Sequence, residues 1–146
     1  MRSKAPLALM EQAVMILVFA LAAVLCLRMF VWSDTASERG ADRDMAVLRV
    51  QSAAELIKSE GKSGCGEAEA LKAVSSLLGG SYTDGEGFTV GYGSDWNAAE
   101  GDAEYVLKAS PKNSETKGLA EATVGVYGAD GEALFEITVA WQKGAD

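Results

Sequence analysis

The sequence predicts an α+β protein in which a long N-terminal helix, with a membrane-spanning first half, packs on a four-stranded antiparallel sheet. Three observations carry this expectation. An apolar stretch opens the chain, a helical repeat of apolar residues follows it, and beyond residue 80 the repeat gives way to strict alternation. The 146 residues suffice for one compact domain, and 49% hydrophobic with 23% charged residues is an ordinary globular balance. The apolar share is concentrated, however: from Leu7 to Trp32 only Glu11, Gln12 and Arg28 interrupt it.

Residues 7–32 are the expected transmembrane helix, preceded by a basic leader at residues 1–6. The fifteen consecutive apolar residues from Ala13 to Leu27 cover about 22 Å as a helix, less than the roughly 30 Å hydrocarbon core. All 26 residues of the segment reach about 39 Å, enough to span with tilt. Arg28 is placed to snorkel outward and Trp32 suits the interface. Three fates are open to such a segment. A cleaved secretory signal needs small residues at its end, where this chain has Leu25-Cys26-Leu27-Arg28-Met29-Phe30. The second fate is a plain single-pass anchor, and the third is a helix that also packs on other subunits. Glu11 bears on the choice, because a carboxylate near the start of an apolar helix is costly unless it sits at the interface or meets a positive partner.

Residues 33–60 continue as an amphipathic helix. Val47, Val50, Ala54 and Ile57 recur at spacings of three, four and three, with Met45, Leu48 and Ala53 beside them. Gly40 marks a bend, a fray or a short break, and Gly61, Gly64 and Gly66 stop the helix. Residues 61–146 form the globular part. Its first element is a short helix, Glu67 to Leu78, with Ala70, Leu71, Val74, Leu77 and Leu78 on one face and Gly79-Gly80 at its end. Four alternating segments follow: Phe88, Val90 and Tyr92; Tyr105, Leu107 and Ala109; Ala122, Val124 and Val126; and Phe135, Ile137, Val139 and Trp141. Asp130-Gly131 predicts a hairpin between the last two. Asp95-Trp96-Asn97 and Pro111-Lys112-Asn113-Ser114 mark the other connections. The helical stripe is the available cover for the apolar face of this meander.

Composition excludes several function classes. There is no histidine, which removes histidine bases, catalytic triads and most zinc sites. Net charge is −8, and from Ser33 onward 10 basic residues face 20 acidic ones, a surface that repels nucleic acid. Cys26 and Cys65 are too far apart along a helix to pair within one chain, so Cys26 reads as apolar filler and Cys65 as a free or intermolecularly paired thiol. Ser63, Ser75 and Ser76 lack a base, so no enzyme is expected. Asp84 and Glu86 are two oxygen donors where calcium needs six to eight, and they read as a solvated turn; no metal or cofactor is expected. Trp96 is either a binding residue or a buried anchor for its loop.

The run Leu7-Ala8-Leu9-Met10-Glu11, followed by an apolar helix and preceded by the basic MRSKAP, resembles the type IV prepilin signature. Type II secretion pseudopilins share that signature and an architecture of one long helix on an antiparallel sheet. The resemblance implies a non-enzymatic pilin-like subunit of a type IV pilus, competence or type II secretion-like filament. It further implies that Leu7 is the mature first residue, and that Glu11, then at position five, pairs with the N-terminal amine of a neighbouring subunit. Membrane lipid, other pilin-like subunits and a prepilin peptidase are the partners implied, with the N-terminus cytoplasmic and the domain extracytoplasmic. The family's peptidase cuts after glycine, whereas Pro6 stands at this junction. The alternative is a monomeric single-pass membrane-tethered extracytoplasmic binding domain.

Overall fold

A computed structural model describes residues 5–62, 65–99 and 101–142, with side chains from Leu7 onward. The leader's basic residues Arg2 and Lys4, and Ser63 and Gly64, lie outside the described residues. The first helix, α1, runs from Ala5 to Lys62. Pro6 falls in its first turn, where a missing N–H costs nothing. Gly40 interrupts nothing: the helix passes through it, and a side chain there would meet no atom within 4 Å.

The chain forms two compact units, with the second beginning at Asp42. In the first unit the described side chains, Leu7 to Ala41, are all exposed. The second unit contains the C-terminal part of α1, a helix α2 (Glu67–Leu78) and five strands: β1 (Ser81–Thr83), β2 (Gly87–Tyr92), β3 (Tyr105–Lys112), β4 (Leu119–Gly128) and β5 (Ala133–Gln142). The strands form one antiparallel meander in the order β1-β2-β3-β4-β5. The sheet therefore has five strands and not the expected four. The additional strand, β1, has only three residues, too few for alternation to be visible, and it exists because its hairpin partner β2 holds it.

The inward residues are those the alternation marks. Phe88, Val90, Leu107, Ala109, Ala122, Val124, Val126, Val139 and Trp141 are buried together with Ala46, Val50, Ala53, Ala54 and Ile57 of α1 and Ala70, Leu71 and Val74 of α2. Leu77, expected on the covered face of α2, lies off it, and Leu48, beside the α1 stripe, also faces outward. Leu48 is 56% exposed and Leu77 63% exposed, while Ala46 and Ser75 take the inner positions. Ser75 is satisfied there by donating its hydroxyl to the Gly80 carbonyl at 3.1 Å, as a buried polar group requires. α2 ends in Gly79, whose left-handed φ of 69° suits glycine.

The last turn of α1 approaches the sheet at Gly61, which is buried against the Trp141 ring; a Cβ there would overlap the indole. On the opposite face of the sheet, Tyr127 lies back over Gly125 and donates its hydroxyl to Glu136 at 2.5 Å. Glu136 is the cross-strand partner of Gly125, so the tyrosine covers the backbone that the glycine leaves bare. The β4–β5 hairpin turns at Asp130-Gly131 as the sequence predicts, with Gly131 at φ 80° and the Gly128 N–H donating to the Glu132 carbonyl at 2.9 Å.

The two α1 glycines should respond oppositely to alanine. Gly61→Ala overpacks the Trp141 contact and is expected to cost about 1–3 kcal/mol. Gly40→Ala meets open space and should raise helix stability by up to about 1 kcal/mol. Urea unfolding in detergent, followed by tryptophan fluorescence, measures both.

Candidate functional site

Leu7 and Glu11 stand one helical turn apart on the same side of α1, both exposed. The apolar surface around them is continuous: Leu7 is 72% exposed, Phe19 76% and Trp32 73%. Each side chain of this size gains about 1.5–3 kcal/mol on leaving water, so a run of this length needs lipid or protein around it. The helix is long and apolar enough to cross a membrane. The backbone of Pro6 is helical and directly precedes Leu7, so the two junction residues continue the same helix as Glu11.

Of the thiols, acidic pair and tryptophan loop singled out from the sequence, Cys26 lies in the first unit and Cys65, Asp84, Glu86 and Trp96 lie in the second. Cys26 and Cys65 are both free thiols, the first exposed and the second half-buried. Asp84 and Glu86 are exposed in the β1–β2 turn, where the Glu86 N–H donates to the Thr83 carbonyl at 3.2 Å and the Tyr82 hydroxyl reaches Asp84 at 3.5 Å. Among the described residues no three histidine, cysteine or acidic side chains are grouped to hold a metal ion.

Trp96 is where the domain concentrates its polar and aromatic contacts. Its loop is shaped by Asp95, whose carboxylate accepts the Asn97 N–H at 3.1 Å and the Asn97 side-chain amide at 2.6 Å. Those bonds favour the ionised carboxylate and hold its pKa below the usual value. The turn closes through Trp96 N–H to the Gly93 carbonyl and Gly93 N–H to the Asn97 carbonyl, both at 3.0 Å. Trp96 itself sits at φ 59°, a region that a bulky residue enters only when its surroundings hold it there.

Those surroundings are identifiable. The indole stacks on Tyr105 with centroids 4.3 Å apart and planes 8° apart, and lies 6.2 Å from Tyr92. Its N–H donates to Asp42 at 3.3 Å. Arg49 donates to the Trp96 carbonyl at 2.8 Å and places its guanidinium 5.0 Å from the centre of the Tyr92 ring. Trp96 is 5% exposed. Of the two readings the sequence left open for it, the buried anchor is the one found.

No family model, curated protein or solved structure matches this chain.

Arg49, Asp42, Tyr92 and Tyr105 were not singled out as site residues from the sequence. Tyr92 and Tyr105 could have been, since they alternate inward on adjacent strands and are direct cross-strand partners. Arg49 and Asp42 gave no sign, because a charge on an amphipathic helix ordinarily faces water. Chemically the cluster is a clamp: it fastens the β2–β3 loop to α1, using aromatic stacking and two side-chain donors.

Two tyrosines make the fold alkali-sensitive. Burial, then the Asp42 carboxylate, pushes Tyr105 up to about 12. The hydrogen bond to Glu136, then burial, pushes Tyr127 up to about 12. In the unfolded chain both ionise near pH 10. The folded state keeps a proton that the unfolded state releases, so this stabilisation is whole below about pH 10 and lost as pH rises towards 12. The urea midpoint should fall over that interval, and Tyr105→Phe with Tyr127→Phe should flatten the decline.

Proposed function

We propose that this chain is a non-enzymatic, pilin-like membrane subunit whose apolar helix serves first as a bilayer anchor and then as the packing element of a filament. The N-terminus is cytoplasmic and the domain beginning at Asp42 is extracytoplasmic. The observation that carries the reading is Glu11: a carboxylate five residues into the run that starts at Leu7, exposed on a helix with an apolar surface. Burying that carboxylate among helices is unfavourable unless a cation meets it. The N-terminal amine of a neighbouring copy cut before Leu7 supplies one. Subunits docked without this pairing are disfavoured, so the acid selects register as well as attraction.

The unbroken α1 supports the same reading, since the element that sits in lipid is continuous with the one that completes the domain core. Membrane lipid, further pilin-like subunits and a prepilin peptidase are its partners. A type IV pilus, competence or type II secretion-like apparatus is the class of assembly it serves.

Two measurements test this. Intact mass of the membrane-extracted protein should give a species beginning at Leu7. Glu11→Ala should leave membrane insertion unchanged and abolish cross-linking into oligomers. A chain that retains its leader, with Glu11→Ala cross-linking as wild type does, would replace the proposal with a monomeric membrane-tethered binding domain.

A further inference from the structure

Among the described residues the sheet of the second unit has two margins, β1 with three residues and β5 with ten. The long one is unguarded: β5 holds no proline and no lysine, and its single charge is Glu136. Phe135 and Ile137 are turned to the inner face but remain half-buried, whereas Val139 and Trp141 further along the strand are covered. Apolar surface is therefore left over where the backbone is also unpaired.

The strand that matches this margin in length is β5 of a second copy, paired antiparallel about a twofold axis normal to the sheet. Opposed residues then share a face, so the axis passes through one residue position, and the residues select which. At Glu136 the axis would set two carboxylates against each other. At Ile137 it would carry the pairing onto Leu134, which the strand leaves out of register: Val126 pairs with Phe135 and Tyr127 with Ala133. At Val139 it would leave Phe135 with no partner inside β5. At Thr138 the regular part of the strand pairs from Phe135 to Trp141. Phe135 then faces Trp141, Ile137 faces Val139, Glu136 faces Ala140, and Thr138 faces its own copy. A threonine pair is a favourable cross-strand contact, and here it continues the outer-face row that Ser110, Thr123 and Thr138 form across β3, β4 and β5. We propose that two copies of this chain join along β5, centred on Thr138, into one continuous sheet. The contact is isologous and stands apart from the filament proposal, because no residue of the apolar part of α1 takes part in it.

The test uses full-length protein in membranes, with Cys26→Ser and Cys65→Ser to remove the native thiols. Thr138→Cys should be joined to a dimer by a short bismaleimide, since directly opposed positions lie about 5 Å apart. Gln142→Cys, on the same face but four residues from the axis, places its two thiols about 26 Å apart and should give about fivefold less. Thr138→Lys opposes two cations and should lower co-purification of differently tagged copies severalfold, and combining Thr138→Lys copies with Thr138→Glu copies should restore it. Glu11→Ala should remove oligomers larger than the pair and leave the Thr138→Cys dimer at full yield. No dimer at position 138, equal yields at 138 and 142, or co-purification unchanged by Thr138→Lys would overturn the β5 contact and leave the filament proposal standing. Oligomers larger than the pair that survive Glu11→Ala would overturn the filament proposal and leave the β5 contact standing.

Discussion

The inner face of the sheet has to be kept from water, and the C-terminal part of α1, joined by α2, does so. The residues it contributes are small: Ala46, Val50, Ala53, Ala54, Ile57 and Gly61 are buried, and only Ile57 among them is large. At Gly61 the missing side chain makes room for the Trp141 ring, and the bulk of the core comes from the sheet, in Phe88, Leu107 and Trp141. Close packing of this kind is sensitive to added volume. It accounts for the burial of Gly61 in the last turn, where glycine would otherwise only weaken the helix.

The second attachment between α1 and the sheet is polar and aromatic. Asp42 and Arg49 lie about two turns apart on α1, and both reach Trp96, one at its indole N–H and the other at its carbonyl. The loop gains a fixed conformation from this, including a positive φ that a tryptophan does not adopt unaided. Arg49 Nε is buried without a hydrogen-bond partner among the described residues, and removing a further partner would leave another buried group without its bond, so the cluster is costly to rearrange.

Much of the fold was legible because two periods are visible in the residues themselves. The alternation in the four longer strands named the inward positions correctly, and the glycine pair after Leu78 ended α2 where the structure ends it. Leu77 was misplaced because hydrophobicity shows that a residue prefers burial, while the covering surface decides which positions receive it. The clamp was illegible for a different reason. Its members are 47 and 54 residues apart in sequence, and neither Arg49 nor Asp42 differs locally from a solvated charge. The Trp96 loop announced itself as a turn, but what held it came from another element.

One edge of the sheet has a consequence for handling the protein. β5 has β4 on one side and, among the described residues, no strand on the other. Its ten residues include neither proline nor lysine, the usual guards against strand addition, and its single charge, Glu136, is occupied by Tyr127. That row of peptide groups is a template for strand addition by a second copy. Overproduction and storage at high concentration therefore favour sheet-rich precipitates, and a lysine introduced along that margin is the direct remedy.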